Sequence, residues 1–290
     1  MNIFRNRLGY SSGSQTGTVV YIDGVKSRAS RVDLDEVIPM PYIQSTIDAY
    51  EPQCVVFNDE IHLIGGNYDH YRSHIKWNGT EWETVSSLPD DIGGVAYADE
   101  DYIYILCANS GNHYIHTWDG TQWTQRSGAI TASNAKMVKY NNEIYVLSGT
   151  MFAKHNGSYW SRLTDAPYNS QTSTIVVYNN AIHMLGGTTQ PTSHYQWNGS
   201  AWVRVSTIPV NCTNGCSLVY EDKLHLFFND TAKIPYHYIW DGNSWSEGIK
   251  PLSEHGTQGV VFNNKIMLSG HLYSNFIEPL NCVKNITITA

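Results

Sequence analysis

Charged residues are scarce in this sequence: they make up 15% of the 290 residues and leave a net charge of −8. It has no cluster of Lys and Arg, and neutralising a phosphate backbone needs clustered cations, so we expect no nucleic acid partner. No apolar run approaches the roughly 20 residues of a membrane-spanning helix. The start, MNIFRNRLGYSSGSQTG, lacks the apolar core of a secretion signal. We therefore expect synthesis in the cytoplasm and no membrane insertion.

Paired metal-binding cysteines are also missing. The five cysteines, Cys54, Cys107, Cys212, Cys216 and Cys282, form no CxxC motif, so their spacing does not indicate a metal site. Cys212 and Cys216 lie close enough in sequence to close a small loop if oxidised, and we favour the alternative that both are free thiols.

A short turn motif is what the sequence has in abundance. It occurs five times, as WNGTEW from Trp77, WDGTQW from Trp118, HNGSYW from His155, WNGSAW from Trp197 and WDGNSW from Trp240. Asn-Gly or Asp-Gly between strand-like runs predicts a two-residue type I′ hairpin loop, with positive φ at both residues. In that register Trp77 pairs with Thr80 and Ile75 with Trp82, which places both tryptophans on one face of the hairpin. We expect such pairs to pack between neighbouring units.

A second motif recurs with the same period. Two strand-like runs flank an Asn/Asp turn at six places, and their aromatic positions are 57, 97, 140, 178, 220 and 262. Each copy has the pattern of four strands: two joined by this turn, a longer polar loop, and two joined by the Asn-Gly or Asp-Gly turn. Repeats of about 40 residues with four strands each are typical of propeller blades. The sequence therefore predicts an all-β protein, a six-bladed β-propeller of four-stranded antiparallel blades.

These residues resemble the Kelch repeat family. The double glycine after the second strand is present as Gly65-Gly66 and Gly186-Gly187, and the Trp pairs match the family's spaced aromatics. The other copies have Ala108-Asn109, Ser148-Gly149, Phe228-Asn229 and Ser269-Gly270 at that place. The resemblance implies the propeller fold. Kelch-like propellers include galactose oxidases, sialic acid mutarotases and intracellular adaptors, so it does not select a function.

The first 50 residues do not fit the repeat. We predict an N-terminal attachment or closure segment at 1–50 and the propeller at 51–290. A further hairpin is expected around Asp23-Gly24. The sixth blade can be completed by the C-terminal run NCVKNITITA or by a strand around residues 32–38, and we favour the first.

Catalytic and metal-binding motifs are not recognisable. His62, His183 and His225 occupy one repeat position, equivalent to Tyr104, Tyr145 and Met267. Equivalent positions are spread around a ring, so the three histidines are not expected to converge on one ion. The sequence has no nucleophile elbow, phosphate-binding loop or paired His motif. We expect no catalytic residue, no metal and no cofactor.

The long loops provide the candidate binding surface. Tight Asn/Asp/Gly turns join strands one to two and three to four, so the long loops, which include GGNYDHYRSH from Gly65 and CANSGNHY from Cys107, share the opposite side. Binding residues concentrate in such loops on a rigid scaffold, and aromatics beside Arg are favoured at interfaces. The predicted binding residues are Tyr68, Asp69, His70, Tyr71, Arg72, Asn112, His113, Tyr168, Asn169, Asp230, Tyr236 and His255.

Three functions are compatible with these observations. The leading hypothesis is a non-enzymatic binding or structural module, a phage or phage-like tail (virion) component that contacts protein partners in a larger assembly and a host-surface glycan or protein. The second is a carbohydrate-binding or carbohydrate-active propeller of the lectin, mutarotase or oxidase type, which turnover of a sugar would favour. The third is an intracellular kelch adaptor.

Overall fold

The computed structural model describes ten stretches of the chain, residues 19–22, 25–28, 52–65, 72–78, 81–109, 111–132, 134–230, 234–248, 255–263 and 265–270. All regular structure within them is antiparallel β-sheet. In these stretches no helix is long and apolar enough to cross a membrane. The all-β prediction is therefore confirmed.

Five four-stranded sheets follow one another along the chain, each with its strands in sequence order. Blade 1 has β3 (Gln53–Phe57), β4 (Glu60–Ile64), β5 (His74–Trp77) and β6 (Trp82–Thr84). Blade 2 has β7 (Asp91–Ala98), β8 (Ile103–Asn109), β9 (Asn112–Trp118) and β10 (Trp123–Gln125). Blade 3 has β11 (Lys136–Tyr140), β12 (Glu143–Ser148), β13 (Met151–His155) and β14 (Trp160–Arg162).

The remaining sheets complete this series. Blade 4 has β15 (Thr174–Tyr178), β16 (Ala181–Leu185), β17 (Ser193–Trp197) and β18 (Trp202–Thr207). Blade 5 has β19 (Cys216–Tyr220), β20 (Lys223–Asn229), β21 (Pro235–Trp240) and β22 (Trp245–Glu247). A sixth sheet has β23 (His255–Phe262) and β24 (Lys265–Gly270). Near the start of the chain, β1 (Val19–Ile22) and β2 (Val25–Arg28) form the hairpin expected around Asp23-Gly24.

The first strands of the sheets form a closed ring. Each lies beside the first strand of the next sheet, in the order β3, β7, β11, β15, β19, β23 and back to β3. This ring is the centre of a β-propeller. The prediction of six four-stranded blades holds for five within the described residues, and the sixth sheet contributes two strands. Both predicted ways of completing it, and most of segment 1–50, lie outside the described residues.

The Asn-Gly turn differs from the prediction. Trp77 lies opposite Trp82, and Trp118 opposite Trp123, so the loop has four residues rather than two. The reason is a side-chain cap: Asp119 Oδ1 accepts hydrogen bonds from the backbone N–H groups of Thr121 and Gln122. The loop glycines do have positive φ, at Gly120, Gly157, Gly199 and Gly242. Paired positive-φ residues of the type I′ kind occur instead between the first two strands, at Asn58-Asp59, Asn141-Asn142, Asn179-Asn180 and Glu221-Asp222.

The aromatic pairs pack between blades, as predicted. Because its members are directly opposite, each Trp pair forms one apolar unit, with ring centroids 5.4 Å apart for Trp118 and Trp123. Phe152 of blade 3 packs on both tryptophans of blade 4, at 5.0 Å from Trp197 and 4.9 Å from Trp202. His74 of blade 1 and His194 of blade 4 are placed in the same way against the Trp pairs of blades 2 and 5. These contacts bury large aromatic surfaces at the blade interfaces.

Candidate functional site

Loop length differs strongly around the long-loop side of the propeller. The loop between the second and third strands spans residues 65–73 in blade 1, 186–192 in blade 4 and 230–234 in blade 5. In blades 2 and 3 it has two residues, since Asn109 pairs with Asn112 and Ser148 with Met151. The prediction of a long loop in CANSGNHY is therefore wrong: β8 and β9 continue through it and close tightly at Gly111, which has φ 83°.

Three segments beside blade 4 form one continuous surface, which we name the polar platform. They are the connection into blade 4 (168–173), the loop 186–192, and the connection into blade 5 (211–215). Thr172 joins the first two, because its Oγ1 accepts from the Thr188 backbone N–H at 2.6 Å and lies 2.8 Å from Thr188 Oγ1. The third segment is tied to both others by the backbone hydrogen bonds Gly187 N–H to Cys212 O, Cys212 N–H to Pro191 O and Asn214 N–H to Thr172 O.

The double glycine is what permits this close approach. Gly186 and Gly187 have φ of 61° and 109°, values that residues with a side chain rarely adopt. A Cβ at Gly186 would lie 2.5 Å from the Cys212 carbonyl oxygen, and one at Gly187 would lie 2.4 Å from Ser173 Oγ. The glycine pair therefore lets the two connections pack directly onto the loop, which fixes the shape of the platform.

The platform presents amides and hydroxyls and carries no charged residue in any of its three segments. Its exposed side chains are Asn169, Gln171, Thr188, Thr189, Gln190, Asn211 and Asn214. Two of the amides are already oriented: Asn169 Oδ1 accepts from the Gln171 backbone N–H, and Gln190 Oε1 accepts from the Ser193 hydroxyl. Their NH₂ groups remain as donors toward a ligand. Apart from Asn169, these residues were not predicted individually. The sequence places the three loops on the same side of the propeller but does not show which of their residues meet.

Two predicted binding residues are buried. Tyr168 donates its hydroxyl to the Gly186 carbonyl at 2.7 Å and belongs to the core between blades 3 and 4, and burial raises its pKa. His113 pairs through its backbone with Ile130, and its Nδ1 accepts from the Ala132 backbone N–H at 3.3 Å. Burial also lowers the pKa of His113. Both side chains are therefore largely buried and position loops, and their binding role stays a prediction.

The other predicted residues within the described part of the chain belong to several blades. Arg72 is 53% exposed and donates from Nε to Asp91 at 3.0 Å. Asn112 is exposed at the start of β9, and Asp230 Oδ1 accepts from the Ile234 backbone N–H at 2.8 Å. Tyr236 stacks on Phe228 in its own blade, with ring centroids 5.3 Å apart. Of the remaining residues, His255 is the first residue of β23, whereas Tyr68, Asp69, His70 and Tyr71 lie outside the described residues.

The repeated histidines form pairs within blades. The rings of His62 and His74, of His183 and His194, and of His225 and His237 are hydrogen bonded at 2.8, 2.7 and 2.9 Å. All six are buried. The equivalence of His62, His183 and His225 thus holds in space, and each has its partner on the third strand of its own blade. Burial lowers the pKa of His183 to about 4 and that of His194 to about 3, so both rings are neutral at pH 7.

In blade 4 the histidine pair belongs to a longer chain of hydrogen bonds. Trp245 of blade 5 donates from Nε1 to Ser206 Oγ at 2.9 Å, and Ser206 Oγ lies 2.7 Å from His194 Nδ1. At the other end His183 Nε2 lies 3.2 Å from the Tyr178 carbonyl oxygen, which can only accept. The donors must therefore run in one direction, with Ser206 donating to His194, His194 to His183 and His183 to Tyr178. This chain of hydrogen bonds joins blades 4 and 5, and each of its polar side-chain atoms has a partner.

Metal and thiol chemistry has little structural basis in the described part of the chain. No group of three or more His, Cys, Asp or Glu side chains there could hold a metal ion. Cys54, Cys107, Cys212 and Cys216 are buried free thiols, as favoured for the last two, and Cys282 lies outside the described residues. Burial raises the pKa of Cys216 to about 12, so its reactive thiolate form is suppressed.

Comparison with known proteins supports the fold. No family model matches the sequence, and no curated protein matches it. Among solved structures, the chain is similar to that of YjhT, a kelch-type propeller, with a TM-score of 0.60 and 11% sequence identity over 79% of this chain and 92% of that chain. At that identity the similarity shows the fold alone: this chain is a β-propeller.

Proposed function

We propose that this protein is a non-enzymatic binding module that contacts its ligand through the polar platform on the long-loop side. The observation that carries the proposal is the set of hydrogen bonds that ties three loops into one surface. Such cross-linking holds exposed amides and hydroxyls in place before a ligand arrives, which lowers the entropic cost of binding. A propeller of this kind is a rigid scaffold for loops, and binding function commonly lies in loops held that way. Its strand pattern and Gly186-Gly187 turn are compatible with a kelch-like repeat.

Within that class, we propose a component of a phage or phage-like tail. Support comes from the sequence of segment 1–50, which does not fit the propeller repeat and in this proposal docks to a larger particle. In this proposal the N-terminal segment docks the protein to the particle, and the platform makes a second contact on a host surface.

Particle assembly with variant chains tests this proposal. Deletion of residues 1–18 should leave a folded propeller by circular dichroism and abolish incorporation into particles, measured by quantitative mass spectrometry. Replacing Gln171, Thr189 and Asn211 together by Ala should leave incorporation unchanged and reduce adsorption of the particles to host cells. Normal incorporation of the deletion variant would refute docking through the N-terminal segment. Unchanged adsorption of the triple variant would refute the platform as the contact surface, and turnover of a sugar by the purified chain would favour an enzyme.

A further inference from the structure

We infer that the ligand of the polar platform is a neutral, hydroxyl-rich molecule, an uncharged oligosaccharide. This inference rests on the proposed function and names the ligand class for the same surface. Its basis is the combination of three properties of the platform: lack of charge, a dense set of amide and hydroxyl groups, and fixed loop geometry.

The charge of the surface argues against an ionic ligand. The three platform segments contain no Asp, Glu, Lys or Arg, whereas 15% of the whole chain is charged. Along the first connection, Arg162 and Asp165 neutralise each other in an ion pair with contacts of 2.8 and 2.9 Å. Arg204 of β18 acts electrostatically on Tyr168 and donates to Thr207 Oγ1 at 3.2 Å. Arg and Lys provide the strongest recognition of phosphate, sulfate and carboxylate groups. The platform segments contain neither, so an anionic glycan or an acidic peptide would bind there without an ion pair to offset its lost hydration.

The exposed groups match the chemistry of sugar hydroxyls. A sugar hydroxyl donates one hydrogen bond and accepts others, and an amide side chain can satisfy both roles. The platform supplies Asn169, Gln171, Gln190, Asn211 and Asn214 as amides, together with the hydroxyls of its threonines. The internal hydrogen bonds of Asn169 and Gln190 leave their NH₂ groups as donors of fixed orientation. A ligand with many alternating donors and acceptors therefore gains most from this surface.

A protein partner fits the platform less well. Protein interfaces obtain most of their affinity from buried Trp, Tyr and Arg side chains. The only aromatic residue of the platform is Tyr168, which is 6% exposed and whose hydroxyl is bonded to Gly186. Without an exposed aromatic or Arg, the platform lacks the anchors of a typical protein contact, but it retains the polar groups that a hydrated, neutral ligand requires.

An array of neutral oligosaccharides, with heparin and sialyllactose as anionic probes, tests the inference on the full chain. Binding should be confined to neutral members and change less than about twofold between roughly 50 and 500 mM salt, since no ion pair contributes. Ala substitution of Gln171, Thr189 and Asn211 together should weaken it by about tenfold or more. The matched control, Gln122→Ala with Asn243→Ala, removes two exposed amides from the short-turn side and should leave it unchanged.

Each other outcome has a distinct meaning. Binding only to the anionic probes would overturn the ligand class. If no neutral glycan binds but the triple substitution still reduces host-cell adsorption, the proposed ligand class is wrong. The proposed binding module then stands. Equal loss of glycan binding in the triple variant and the control would place the site elsewhere and overturn the inference. If neither glycan binding nor adsorption responds to the triple substitution, both the inference and the proposed function fail.

Discussion

Blades 3 and 4 are neighbours with the same strand order, yet they fill the same interior position with different chemistry. Blade 3 places Tyr145 and Phe152 there, with ring centroids 5.6 Å apart, whereas blade 4 places His183 and His194, hydrogen bonded at 2.7 Å. In both blades the third-strand residue packs on the Trp pair of the next blade. The blade interface thus accepts either an aromatic contact or a satisfied polar network, because both fill the same volume.

The same two blades also differ in the loop that follows the second strand. Blade 3 closes it in two residues, 149–150, whereas blade 4 uses 186–192 and builds the platform on it. Blades 1 and 5 resemble blade 4 in having both a histidine pair and a longer loop. Short-loop blades therefore have less loop surface on this side, and in our proposal the loops beside blade 4 form the binding surface.

The aromatic pair of blade 3 and the histidine pair of blade 4 should differ most in how they make stability depend on pH. His183 and His194 have folded-state pKa values of about 4 and 3, below the ordinary 6.5, so the unfolded chain binds their protons first. Stability should fall as pH drops from about 6.5 toward 4, by about 1.4 kcal/mol per pH unit for each histidine. The double variant His183→Tyr with His194→Phe, which gives blade 4 the blade 3 pair, should remove the contribution of these two histidines and reduce the slope in urea denaturation. Buried histidines such as His62 and His74 keep their contribution. If the slope of the unfolding free energy against pH did not change, the two histidines would have their ordinary pKa in the folded protein.

The aromatic chemistry of blade 3 is tested by removing its central ring. Phe152 is fully buried and contacts the Trp pair of blade 4, so Phe152→Ala should lower the free energy of unfolding by about 3–5 kcal/mol. Tyr159→Ala is the control in the same blade, since Tyr159 is 62% exposed, and it should cost less than about 0.5 kcal/mol. Similar costs for the two variants in urea denaturation would argue against the blade interface described here.

The hydrogen-bond chain can be broken at its serine. Ser206→Ala would leave Trp245 Nε1 and His194 Nδ1 without their partner, at a cost of about 1–3 kcal/mol. Blade 1 supplies the comparison, because the Ser86 hydroxyl donates to the Ser87 carbonyl at 3.4 Å and Trp123 Nε1 has no hydrogen-bond partner within the described residues. Ser86→Ala should therefore change the thermal midpoint little. An equal shift of the thermal midpoint for Ser206→Ala and Ser86→Ala would contradict the chain of hydrogen bonds in blade 4.

The turn that closes the outer hairpin is common to both blades and should show the smallest effect. Gly157 has φ 93°, and a Cβ there would meet open space, so Gly157→Val should cost about 1–2 kcal/mol from backbone strain alone. Ser158→Val changes the next residue, which does not have positive φ, and should cost less. Chemical denaturation of both variants provides the measurement, and equal costs would show that the glycine conformation is not required.

Much of the fold follows from short-range patterns in the sequence. The repeated turns and alternating strands predicted the propeller and the shared face of the Trp pairs, because these depend on neighbouring residues. The predicted register at Trp77 and Trp82 was wrong, since Asn-Gly suits both a two-residue loop and a four-residue loop, and the side-chain cap selects the longer one. The histidine pairs lie on different strands, and the repeat pattern identified only their second-strand members.

The candidate site depends on contacts between distant segments and was harder to predict. Asn169 was identified by its place in a connecting loop, but Thr172, Thr188 and Asn214 meet only because of the close approach at Gly186-Gly187. Tyr168 has the character of an interface residue in sequence, but it packs in the core between blades 3 and 4 and donates its hydroxyl to the Gly186 carbonyl. Neither feature has a local signature.

Blocking each side of the propeller in turn would show whether the platform side carries the binding function. A bulky maleimide polymer would be attached at Thr189→Cys or at Gln122→Cys, both in a Cys282→Ser background, since the four described cysteines are buried. Adsorption of each labelled protein to host-cell envelopes would then be measured. We predict that the polymer at position 189 abolishes adsorption and that the polymer at position 122 leaves it unchanged. Loss of adsorption only with the label at position 122 would contradict a binding role for the platform.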